Sequence, residues 1–155
     1  MLTQFQNVFF AAFGSGPVLE YLVSYRMTKD HVTFHSMMYP RKGNSCSYLV
    51  QFCAHGRKCY GRVVCYILFQ NVAYALITEY GLTGLNVCQD LPLPQDVVLK
   101  EIVHRNLIGQ HFLQVQEIES LLLVKCADVI NRCLHVQGED GKGFITFLDT
   151  LYEHD

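Results

Sequence analysis

From about residue 20 onward, apolar positions recur every second residue in short runs separated by clusters of Gly, Asn, Asp or Pro. That period is the mark of half-buried strands. Glu20 to Met27 places Tyr21, Val23, Tyr25 and Met27 on one face, although Val18, Tyr21, Leu22 and Tyr25 also fit a helical stripe. A strand is expected, because Lys29-Asp30 then turns the chain into Val32, Phe34 and Met38. Pro40-Arg41-Lys42-Gly43-Asn44 has the composition of a loop. Ser47 to Cys53 follows as a strand with Tyr48, Val50 and Phe52 on one face, and Ala54 to Lys58 turns at His55-Gly56. Cys59 to Phe69 is a long strand in which Gly61 marks a bulge or a close approach. Gln70-Asn71 leads into Ala73 to Tyr80, completing a three-strand meander.

Gly81 to Val98 is irregular, with Gly81, Gly84, Asn86, Asp90, Pro92 and Pro94. Proline removes a ladder donor and restrains the residue before it, so this stretch is expected to cross the barrel as a loop. Strands resume at Val98 to Arg105 and Phe112 to Glu119, then at Leu121 to Val124. Cys126 to Asn131 has the look of one helical turn, Arg132 to Gln137 is again a strand, and Gly138-Glu139-Asp140-Gly141 turns into Gly143 to Leu148. A strand, a single helical turn and a closing strand is how many Src-homology-3-like barrels end. The expected fold is therefore all-β: a small barrel of about seven to nine short strands with one short helical turn. Residues 20–155 are expected to form a single domain, and residues 1–19 an N-terminal segment of unknown role.

Composition narrows the class. The chain has 155 residues, 50% hydrophobic and 17% charged, with a net charge of −2. One compact domain with a core, with room for a short appendage, is expected; disorder is excluded for most of the chain, and a collagen-like repeat altogether. No apolar run approaches the roughly 18 residues of a membrane helix, and Val8 to Phe13 lacks the basic leader of a signal peptide. The seven cysteines (46, 53, 59, 65, 88, 126 and 133) are odd in number and contain no C-x-x-C. That pattern predicts free thiols in a reducing compartment, nucleus or cytosol. Cys53-Ala-His55-Gly-Arg-Lys-Cys59 is the one arrangement resembling a metal knuckle, and no second pair follows it, so a hairpin flanked by two cysteines is the preferred reading.

Certain stretches carry a resemblance. Phe34-His35-Ser36, Tyr39-Pro40-Arg41, Asn44-Ser45, Tyr48 and Cys59-Tyr60-Gly61-Arg62-Val63 are followed by Ile102-Val103-His104. Leu121-Leu122-Leu123-Val124 and Val129-Ile130-Asn131-Arg132-Cys133-Leu134-His135-Val136 complete the set. Together they resemble a β-rich accessory module near the end of transposase-like proteins of animal DNA transposons, over roughly residues 20 to 155. The ending from Val124 to Val136 is also similar to the closing segment of bromo-adjacent homology domains, small-barrel chromatin readers. The resemblance implies a non-catalytic module of a transposon-derived, domesticated protein, nuclear in location, with a cytoplasmic one as the alternative. It implies no catalytic or binding residue set.

Charge is unevenly spread. Residues 1–78 hold seven basic and two acidic side chains, net +5, whereas residues 79–155 hold five basic and twelve acidic, net −7. Arg41, Lys42, Arg57, Lys58 and Arg62 fall at or near turns, where a shared barrel end would make a phosphate-contacting patch. The competing reading is that turns are solvated and charged by default, and a net charge of −2 does not mark an autonomous DNA binder. Tyr39, Tyr48, Tyr60, Tyr66 and Tyr74 offer material for a methyl-lysine cage, but a chain without Trp must also build its core from such rings.

Catalytic signals are weak. Gly14-Ser15-Gly16 lacks the flanks of a hydrolase elbow, and no phosphate loop, dinucleotide fingerprint or H-E-x-x-H occurs. Glu117 and Glu119 share a strand face by period, which more often means a solvated face than a catalytic pair. His35, His104, His111 and His135 are expected to be structural. The expectation is thus no enzyme, no cofactor, no metal and no small-molecule substrate. Instead, an interaction module is expected to contact DNA or a nucleosome through Arg41, Lys42, Arg57, Lys58 and Arg62. The alternative is a dimerisation or scaffold domain without nucleic-acid contact, in which the apolar segment Val8 to Phe13 packs on a protein partner.

Overall fold

Three two-residue turns organise the first half of the molecule. Asp30-His31, His55-Gly56 and Gln70-Asn71 all have positive φ at both central positions, between 48° and 74°. That backbone twist matches the right-handed twist of paired strands, so each turn closes a tight hairpin. The computed structural model describes residues 2–14, 20–40, 48–83, 113–137 and 143–147, together with Val98.

The hairpins join β2 (Arg26–Lys29) to β3 (Val32–His35), β4 (Leu49–Ala54) to β5 (Arg57–Phe69), and β5 to β6 (Val72–Leu82). A short strand, β1 (Leu22–Ser24), precedes them. Then come β7 (Leu113–Lys125), a single 3-10 turn (Cys126–Asp128), β8 (Val129–Gln137) and β9 (Gly143–Phe147). The protein is therefore all-β and barrel-like: β5, β4, β8, β9, β7 and β6 pair in that order, and β6 pairs back with β5 to close a ring. β1 adds to the far half of β5, Leu22 opposite Leu68 and Ser24 opposite Tyr66.

Alternation sorts side chains onto two faces, and apolar residues are buried on both. One face carries Val50, Phe52, Cys59, Val63, Ala75, Ile77 and Val129, with Phe34 of the β2–β3 hairpin packed among them. The opposite face carries Leu49, Tyr60, Tyr80, Val115, Cys133 and Ile145 toward one end. Toward the other end it carries Cys65, Ile67 and Leu76. A register shift between Val63 and Cys65 lets β5 keep apolar groups inward along its whole length. Gly61 is a close approach rather than the bulge: a Cβ there would overlap the Thr78 carbonyl oxygen and Ile77 Cγ2 on β6.

The N-terminal segment forms a helix, α1 (Leu2–Phe13), which the strand-dominated reading did not anticipate. Phe5, Phe9 and Phe13 stand four residues apart on one stripe, with Val8 beside them, and lie on Cys65, Ile67, Phe69 and Leu76. Phe9 is fully buried and meets Phe5, Phe13, Tyr21 and Phe69 within 6 Å of ring centroids. Burying such a ring contributes about 1.5–3 kcal/mol, so this contact holds the helix on the sheet. Gly14 at φ +68° ends it, its N–H donating to the Phe10 carbonyl.

Two further expectations are corrected. The strand expected over Glu20 to Met27 breaks at Tyr25: β1 pairs with β5 whereas β2 pairs with β3, and the Tyr25 carbonyl accepts from Ser36 N–H at the corner. The two strands expected at Phe112–Glu119 and Leu121–Val124 are one continuous strand, β7, with a register shift against β6 between Thr78 and Tyr80. The expected strand at Val98–Arg105 and the turn at Gly138–Gly141 lie outside the described residues, Val98 excepted.

Candidate interaction surfaces

Of the five basic residues singled out, Arg57, Lys58 and Arg62 are described, and these three do not share one exposed face. Arg57 and Lys58 open β5 just after the His55-Gly56 turn, and as successive strand residues they point to opposite faces. Arg57 is 71% exposed and lies 3.9 Å from the Glu79 carboxylate on β6. Arg62 shares the Lys58 face but is mostly covered; its guanidinium is ion-paired with Glu117 on β7 and sits 5.7 Å from the Tyr80 ring centroid. Lys58 is exposed and has no ion pair among the described residues. Arg41 and Lys42 lie outside the described residues.

Arg62 belongs instead to a polar band on the second buried face. Tyr80 stacks on His135 at 6.0 Å, and Gly143 leaves room for that imidazole, since a Cβ there would run into it. Burial, with the Arg62 charge adding to it, holds His135 below its ordinary pKa. Alongside, Gln51 Nε2 donates to the Tyr60 hydroxyl at 3.0 Å, and Asn131 Nδ2 donates to Gln51 Oε1 at 3.2 Å. Gln51 is buried, and both ends of its amide are thereby satisfied. This band ties β4, β5 and β8 together.

The other candidates are dispersed. Tyr60, Tyr66 and Tyr74 belong to three separate apolar clusters, Tyr48 packs against the one that holds Tyr60, and the Tyr39 ring lies tilted against His35 with centroids 4.4 Å apart. Cys53 pairs across the hairpin with Lys58 and is exposed, whereas Cys59 pairs with Phe52 and is buried on the other face. Among the described residues no three His, Cys, Asp or Glu side chains gather as metal ligands do. Burial raises the thiol pKa of Cys59 and Cys65, that of Cys126 to about 11 and that of Cys133 to about 12. Cys46, Cys88, His104, His111 and Ser15 lie outside the described residues, and the side chain of Glu119 is likewise undescribed.

In the apolar segment Val8 to Phe13, Phe9 is buried and Val8 and Phe13 are half-buried against the sheet, while Phe10, Ala11 and Ala12 are exposed. Exposed apolar surface also gathers around β1. Leu22 is 70% and Val23 49% exposed, and Tyr25, Met38 and Leu68 are exposed beside them. Tyr21, Val23 and Tyr25 form one wall of a groove of about 600 Å3, with Phe5 of α1 and Leu76 and Leu121 of the sheet on its other sides. Among the described residues β1 pairs only with β5, so its outer edge presents unpaired backbone N–H and C=O groups. No sequence signal beyond Tyr21-Leu22-Val23 marked this edge, because its neighbours come from β5, some forty residues on. Comparison with family models, curated proteins and solved structures finds no match for this chain.

Proposed function

We propose that this chain is a non-catalytic interaction module whose contacts are made to protein, through the β1 edge and the groove behind it. The observation that carries this reading is the exposure of Leu22 and Val23 on an edge strand. Natural sheets guard such edges with charges, proline or a covering element, and an unguarded apolar one is a template for strand addition. The resemblance to a transposon accessory module without catalytic residues points the same way.

Nucleic-acid contact is the second reading, favoured by the exposure of Arg57 and Lys58 beside a tight turn. Against it, Arg57 and Arg62 each face a carboxylate, so a phosphate would have to displace Glu79 or Glu117. Titration of the chain against a mononucleosome and matched free DNA at two salt concentrations separates the two. The protein-contact reading expects no binding that weakens with salt. Salt-sensitive binding that is lost in an Arg57→Ala/Lys58→Ala variant would overturn it in favour of DNA or chromatin contact.

A further inference from the structure

No further inference is drawn: the strongest candidate, the apolar groove of about 600 Å3 between α1 and the three-residue edge strand β1, belongs to the surface already described, and nothing in the structure shows what covers it.

Discussion

Lys29 and Val129, a hundred residues apart in the chain, are joined by a hydrogen bond of 2.6 Å from Lys29 Nζ to the Val129 carbonyl oxygen. The same ammonium donates to the Ala127 carbonyl at 2.7 Å. It thus sits over the carbonyls leaving the 3-10 turn and pins the two-stranded β2–β3 hairpin to the start of β8. Charge-assisted bonds of this kind contribute more than neutral ones. Lys29→Met is expected to cost about 1–2 kcal/mol, the lower part of the range because the site is partly exposed. A urea-unfolding midpoint within error of wild type would show that the packing of Met27, Val32 and Phe34 suffices to hold the hairpin.

Gly61→Ala is a test of strand spacing. The added methyl has backbone on one side and a buried isoleucine on the other, neither of which is the loose end of a flexible chain. Overpacking of this sort costs about 1–3 kcal/mol. The expected result is a lower midpoint with an unchanged β-rich far-ultraviolet spectrum.

Of the five described cysteines, only Cys53 is exposed. At pH 8 a thiol displaced to about 12, as at Cys133, is ionised in roughly one molecule in ten thousand. Alkylation of the native chain followed by peptide mass mapping should therefore label Cys53 quickly and Cys59, Cys65, Cys126 and Cys133 only on unfolding. Phe9→Ala loosens α1 from its seat on Cys65, and Cys65 should then become labelled ahead of the other three.

His135 makes stability depend on pH in one direction. Its folded pKa lies below the ordinary 6.5, so just under pH 6.5 the unfolded chain binds a proton that the folded chain does not. Stability from this group is complete above about pH 6.5, falls as the pH drops toward the folded value, and is flat below it. In a series of denaturation curves from pH 7.5 to about pH 5, His135→Gln should show a shallower decline than wild type. Parallel slopes would mean that other groups account for the acid sensitivity.

The β4–β6 meander was legible because three local signals coincide there: period-two apolar runs, turn residues at two-residue spacing, and a glycine at a close approach. The strands lie at Leu49–Ala54, Arg57–Phe69 and Val72–Leu82, within two residues of the expected edges at every end. The helix was missed although Phe5, Phe9 and Phe13 carry a helical period, because a single apolar stripe does not say what it will pack on. The charge arithmetic missed more. It set a basic first half against an acidic second half, yet folding lays Glu79 and Glu117 of the second half against Arg57 and Arg62 of the first. Cross-strand register decides such pairs, and register is not written in either strand alone. The β1 edge was hidden for the same reason.

The pairing of β4 with β8 closes the ring between residues about eighty positions apart, whereas β4, β5 and β6 are joined by turns of two. On a ribosome, the meander is complete well before Val129 has been synthesised. During that interval Val50 and Phe52 lie along an unprotected margin of β4. Closure of so long a loop is entropically slow, so the nascent chain passes through a stage with open, sticky borders. Synthesis rate and chaperone supply, more than final stability, would then set how much of this protein escapes aggregation in a cell.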